Sequence, residues 1–263
     1  IGITVNPGTI PSHRQIDGCS NPCAPTLCRC DIESYLCVMC GRSSLTKNEK
    51  ELEARFQATF YSEDLERYNP LPNYNMAPSQ MLPVITMKDP SHIGLFRWGL
   101  VPFWAKDEKV GYSMINARIE TLEEKASFRN LIAQNRCLVP MDGFYEWKGE
   151  GKEKQPYRII TKDQEVFCCA GLFDTWKSPD GRIVHSYTII TLPANDFMKE
   201  LHDRMPAMLS KEMEQVWLDP SLAKSDVLQM LVPYDDAQMD AYPVSKKVGN
   251  VRERGEELID KIS

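Results

Sequence analysis

Leu52, Phe56 and Phe60 recur every four residues behind Thr46-Lys47-Asn48-Glu49. That period puts one apolar stripe on a helix of about three turns. The Thr46/Glu49 pair reads as a capping box that satisfies orphan backbone N–H groups. Residues 69–78 (Asn-Pro-Leu-Pro-Asn-Tyr-Asn-Met-Ala-Pro) are dense in turn formers and predict loop. Met81–Met87 predicts a strand, which Pro83 assigns to a sheet edge, and His92–Trp98 predicts its partner. Trp98-Gly99-Leu100-Val101-Pro102-Phe103-Trp104 reads as a Gly/Pro-bearing loop, and Phe128–Gln134 as a helix. Arg136–Pro140 leads into Met141–Trp147, a strand with a turn at Asp142-Gly143. Tyr157–Thr161, Val166–Gly171 and Ser186–Thr191 are β-branched and aromatic, and the turn pairs Lys148-Gly149 and Asp180-Gly181 suit a meander. The last third is more helical: a short segment over Asn195–Leu201, a helix capped by Ser210 through Trp217 and Leu218, and another over Ser221–Leu231. Tyr242–Ser245 reads as a returning strand and Val248-Gly249-Asn250 as a closing loop. The expectation is an α+β fold, with an antiparallel, barrel-like sheet core and surrounding helices.

Residues 1–38 show neither period. They are rich in turn formers and read as a poorly ordered, Cys-rich extension outside the mature protein, with a small Cys-rich appendage as the alternative. Residues 39–263 then form the folded domain. The whole chain has 263 residues, 42% hydrophobic and 26% charged, enough to bury a substantial core. No run approaches the ~20 apolar residues of a membrane span, so the expectation is a soluble cytoplasmic monomer. The net charge of −6 argues against a generic polybasic nucleic-acid binder. A local cleft of a few Arg and Lys remains compatible with it.

Six of the nine cysteines, Cys19, Cys23, Cys28, Cys30, Cys37 and Cys40, crowd into the first forty residues. Only Cys37-Val38-Met39-Cys40 has C-x-x-C spacing, whereas a zinc ribbon needs two such pairs. No metal and no cofactor are expected, and a zinc or redox module stays as an alternative.

Val38-Met39-Cys40-Gly41-Arg42 has the texture of a protein start inside a longer reading frame. A chain beginning at Cys40 would carry a free α-amine and a thiol on adjacent carbons, a 1,2-aminothiol that condenses with an aldehyde to an imine and then a thiazolidine. An α-amine has a reference pKa of about 7.7–8.0 against about 10.4 for lysine. A useful fraction is therefore neutral and nucleophilic near pH 7.

Six blocks carry a resemblance: Cys40-Gly41-Arg42, Asn75-Met76-Ala77-Pro78, Arg97-Trp98-Gly99-Leu100-Val101-Pro102, Asn116-Ala117-Arg118-x-Glu120-Thr121, Asp142-Gly143-Phe144-Tyr145-Glu146-Trp147 and His202-Asp203-Arg204-Met205-Pro206. In this order from Met39 onward the chain resembles the SRAP family, the SOS-response-associated peptidases or abasic-site processing proteins. The resemblance implies a protein that crosslinks itself to abasic sites in single-stranded DNA through a thiazolidine formed by the mature N-terminal Cys. It also implies a nucleoid association when bound to DNA. Carried over block by block, the nucleophile is Cys40 and its companions are Asn116, Arg118, Glu146 and His202. Imine formation needs a group that keeps the amine neutral and then expels water, which suits Glu146. Opening the sugar hemiacetal needs a proton shuttle near neutrality, which suits His202. Asn116 suits the sugar oxygen and Arg118 the adjacent phosphate. Phe103 and Trp104 are expected to stack on bases, and Arg42, Arg97 and Arg204 to hold phosphates. Trp98 is read as core rather than as a DNA contact. The departure is that 38 residues precede Met39; with them attached Cys40 has an amide and no amine, so the active form is expected to start at Cys40. Two other classes stay open: a cysteine peptidase, including an autopeptidase that releases the residues before Cys40, with His202 or Glu146 as base, and the zinc or redox module.

Overall fold

Strand β1 (Ser43–Leu45) opens the part of the chain that the structure, a computed structural model, describes: residues 41–68, 71–149 and 151–263. Cys40 and the five cysteines before it lie outside the described residues. In chain order β1 is followed by α1 (Glu49–Phe56), β2 (Thr59–Phe60), α2 (Ser62–Tyr68), β3 (Asn73–Met76), β4 (Met81–Thr86), β5 (Asp89–Trp98) and β6 (Asn116–Arg118). Next come α3 (Leu131–Gln134), β7 (Arg136–Met141), β8 (Gly143–Lys148), β9 (Gln155–Thr161), β10 (Phe167–Lys177) and β11 (Ile183–Pro193). The chain closes with α4 (Asp196–Lys199), β12 (Arg204–Pro206), β13 (Met208–Leu209), α5 (Lys211–Leu218), α6 (Lys224–Gln229) and β14 (Met239–Pro243).

Two sheets result. In the larger, β11, β10, β7, β4 and β5 follow one another as neighbours. The parallel pairing of Arg97 and Trp98 of β5 with Ser186 and Tyr187 of β11 then joins the ends, so these strands close into a barrel. The rest of that ring is antiparallel. The smaller sheet runs β14-β9-β8-β1-β3, every pair antiparallel. The α+β, barrel-like reading is thus the observed architecture. Strand β10 is buried without a break from Phe167 to Asp174, as expected of a strand covered on both faces. Trp98 is core: its ring stacks on Tyr187 with centroids 6.3 Å apart, and its Nε1–H donates to the Ile115 carbonyl at 3.0 Å.

Several local expectations are corrected. The capping box is formed by Asn48 and Glu51, whose side chains meet each other's backbone N–H at 3.1 and 2.9 Å. Thr46 is unavailable because its N–H and hydroxyl both bind Asp142, at 2.5 and 2.6 Å. Helix α1 stops at Gln57, which turns left-handed with φ 52°, and Phe60 therefore packs from a strand. Asn73–Met76, read as loop, pairs with β1. Pro83 lies in an inner strand, but the β7 ladder reaches only Ile85 and Thr86. Opposite Pro83, Leu95 turns its N–H outward to Asp64 Oδ2 at 3.2 Å, so the missing proline donor is not needed. Only Leu131–Gln134 of the helix expected from Phe128 is α-helical.

Asp142-Gly143 is not a hairpin turn. It is where the chain leaves the barrel (β7) for the second sheet (β8), and glycine is required by a close approach. A Cβ on Gly143 would lie 2.7 Å from Arg158 Nε. The crossing is fastened by a buried ion pair between Asp142 Oδ1 and Arg158 Nη2 at 2.9 Å. The Ser44 hydroxyl donates to the same carboxylate at 2.7 Å, and Arg158 Nη1 donates to the Tyr242 hydroxyl at 2.8 Å. Burial alone would lower the Arg158 pKa, but the Asp142 carboxylate and the Tyr242 bond outweigh it and raise it above its ordinary value. Removing one member of a buried pair strands the other charge in low dielectric. Asp142→Asn is expected to cost about 3–5 kcal/mol of stability in urea unfolding.

Candidate functional site

The ladder between β1 and β8 sets the first wall of the site. Ser43 faces Phe144 and Ser44 faces Gly143, and the Tyr145 N–H donates to the Arg42 carbonyl at 2.9 Å in the same register. Glu146 follows Tyr145 on β8. Glu146 is only 4% exposed, although an acid on a short strand between Tyr145 and Trp147 would ordinarily face solvent. At the far end of β8, Lys148 pairs with Glu200 at 4.0 Å. Both partners are exposed, so the pair adds little stability, but it sets the end of Glu146's strand beside the turn that carries His202.

Strand β11 sets the second wall. Its C-terminal half is flanked on one side by β6, with Asn116 opposite Ile189 and Arg118 opposite Thr191, and on the other by β12, with Arg204 opposite Pro193. Asn116 is half-buried and Arg118 exposed. His202 follows α4, which Asn195 caps by accepting from the Met198 N–H at 2.8 Å. The His202 Nδ1 accepts the Arg204 N–H at 3.0 Å. The exposed Asp203 carboxylate stands 2.8 Å from the same Nδ1.

Two arginines expected at phosphates serve inside the protein instead. Arg42 is buried, its pKa lowered by that burial. It donates to Asn75 Oδ1 at 2.9 Å and to the carbonyls of Val248 at 2.7 Å and Gly249 at 3.3 Å. Asn75 in turn donates to the carbonyls of Asn250 and Glu253 at 3.0 and 2.9 Å. Arg204, also buried, forks onto both oxygens of Glu120, with Nη2–Oε2 at 2.9 Å, and onto the Thr191 carbonyl at 2.7 Å. This pair welds the Asn-Ala-Arg block to the His-Asp-Arg block. Arg97 stacks its guanidinium over the Tyr112 ring, 5.2 Å from the centroid.

The loop after Trp98 behaves differently. Its backbone is held at three points: Val101 N–H to Ser186 Oγ at 2.8 Å, Phe103 N–H to Asp174 Oδ2 at 2.8 Å, and Ala105 C=O to Trp176 Nε1–H at 2.7 Å. Burial raises the Asp174 pKa against the lowering effect of the Phe103 and Thr175 N–H groups. Yet Phe103 and Trp104 remain 67% and 50% exposed. A fixed backbone thus presents two large apolar rings to solvent.

Sequence reasoning assigned no role to Asn75, Glu120, Arg158 or Tyr112. Arg158 had a usable signal, a charge on the inward side of an otherwise apolar strand. The others had none beyond membership of, or proximity to, a motif.

These features belong to a known class. Residues 39–251 match the family of SOS response associated peptidases (SRAP), and the chain belongs to that family. It is 44% identical over 225 residues to the abasic site processing protein YoqW of Bacillus subtilis, covering 84% of this chain and 99% of that one. To the abasic site processing protein YedK of Escherichia coli it is 30% identical over 234 residues, covering 85% and 100%. A solved protein from Bacteroides thetaiotaomicron shares the fold with a TM-score of 0.78 and 31% identity, over 85% of this chain and all of that one.

Arg204 holds the Glu120 carboxyl below its ordinary value, partly opposed by desolvation. A lowered carboxyl pKa contributes stability above the ordinary value, 4.5, and loses it as pH falls through the folded value. Glu120→Gln is expected to cost about 1–2 kcal/mol at pH 7, the low end for a bond to a charged group because Glu120 is half exposed. In denaturation series the gap to the unsubstituted protein should close as pH drops below 4.5.

Proposed function

We propose that this protein processes abasic sites by capturing the ring-opened deoxyribose in single-stranded DNA on Cys40, in a form that begins at that residue. The observation that supports the reading is the β1–β8 ladder, which runs the backbone two residues after Cys40 beside Tyr145, the neighbour of the buried Glu146. The printed names of the relatives point to the same class of substrate.

The α-amine of Cys40 attacks the aldehyde carbon and the adduct loses water as an imine. The Sγ then adds to the imine carbon while its proton passes to nitrogen, closing the thiazolidine with one water released overall. Glu146 takes the ammonium proton and returns it to the departing hydroxyl. His202 moves the proton that opens the sugar ring, Asn116 holds the sugar oxygen, and Arg118 holds the neighbouring phosphate. Phe103 and Trp104 take the unpaired bases beside the gap. The buried thiols of Cys137, Cys168 and Cys169 are pushed up by desolvation and are inert by comparison.

Protein beginning at Cys40 should form an adduct with abasic single-stranded DNA that survives a denaturing gel, and protein retaining residues 1–39 should form none. Equal crosslinking by both forms would rule out the amine. Cys40→Ala, begun at the same position, should leave only an imine that needs borohydride to persist.

The two proton carriers are separable. General acid–base assistance is worth about 10²–10⁴-fold, so Glu146→Gln and Ala at His202 should each slow reaction with abasic DNA by that order. With a small aldehyde that has no ring to open, Glu146→Gln should remain slow while His202→Ala should match the unsubstituted protein. Equal losses on both substrates would refute this division of labour.

A further inference from the structure

We infer that Tyr112, held in place by Arg97, is a further stacking surface for an unpaired base; this rests on the single-strand reading above. Tyr112 is 54% exposed and sits on the 3₁₀ turn Glu108–Ser113, directly before the strand that carries Asn116 and Arg118. Nothing in the fold needs an aromatic ring there, yet the backbone beneath it is fixed with unusual care.

Gly99, at φ +117°, and Gly111 meet backbone to backbone. A Cβ on Gly99 would lie 2.6 Å from the Gly111 carbonyl oxygen, and one on Gly111 would strike Arg97 Nη1 and lie 2.7 Å from the Gly99 oxygen. Met114 N–H closes the turn onto the Gly111 carbonyl at 3.1 Å, and Leu100 N–H reaches the Met114 carbonyl at 3.0 Å. Val110 packs against the small cluster of Val101, Trp176 and Val184 that also receives Ala105, and Glu108 pairs with Arg182 at 2.9 Å. The turn bearing Tyr112 and the loop bearing Phe103 and Trp104 therefore share one support.

Arg97 distinguishes this patch from a general apolar one. Its Nη1 leans on the Gly99 carbonyl at 3.4 Å, and its guanidinium covers the Tyr112 ring. A ring steadied by a cation is suited to π-stacking with bases, and exposed aromatics alternating with Arg on a fixed backbone are the composition of a single-strand track. Arg97 is a positioning residue here: it acts through Tyr112 and not as an independent phosphate contact.

The test uses single-stranded oligonucleotides without an abasic site, so that no covalent step intervenes, each carrying 2-aminopurine at a different position. Tyr112→Ala should weaken binding roughly five- to hundredfold, the equivalent of about 1–3 kcal/mol for one stacked base. It should also abolish quenching at one oligonucleotide position while leaving the salt slope unchanged. Tyr112→Phe should bind normally. Arg97→Lys, which keeps the charge but loses the planar stack, should fall toward Tyr112→Ala, and the double variant should be no weaker than Tyr112→Ala alone. Unchanged affinity and quenching in Tyr112→Ala, with unsubstituted protein binding well, overturns this inference alone. Additive losses in the double variant overturn the coupling to Arg97. Failure of the unsubstituted protein to bind single strands overturns the underlying functional reading as well.

Discussion

A carboxylate buried where the chain changes sheets is the constraint on which the rest depends. Asp142 gathers donors from the end of β1, from Ser44 within it and from Arg158 on β9. A buried charge is tolerable only when it is paired and hydrogen-bonded, so these strands have one arrangement that satisfies it. Because side chains alternate along a strand, a slip of β8 by one residue would turn Glu146 to the opposite face. The ion pair thereby decides which face of the smaller sheet carries an acid, four residues away from itself.

Around β11 some of the motif residues act as cement. Glu120 and Arg204 join the flanking strands β6 and β12 at their ends, and Asn116, Arg118 and His202 come from the same two blocks. Arg42 and Asn75 cement in the same way, gripping the segment from Val248 to Glu253. A motif residue can thus be structural, and residue type alone does not say so.

That limit shows in what was legible. The strand periods and the α+β class followed from apolar alternation, because burial on one face is a property of local sequence, and the Trp98 core from the usual burial of Trp. Phe60 misled because the four-residue repeat continues past Gln57, where a backbone conformation ends the helix and side-chain pattern does not register it. Asp142-Gly143 misled because a turn and a sheet crossing use the same dipeptide; the Arg158 guanidinium lying over the glycine distinguishes them. Arg42 and Arg204 read as phosphate ligands because a guanidinium's acceptors, here carbonyls and side chains of distant chain, leave no trace beside it.

The grip of Arg42 on the Val248 carbonyl spans 206 positions. Synthesis proceeds from the amino end, so the strand that begins this fold waits on the ribosome for its anchor until residues near 250 have been made. An unfinished or prematurely terminated chain has no partner for that guanidinium, and the edge of the smaller sheet beside it cannot settle. The strand that opens the described fold is therefore among the last to acquire its anchor.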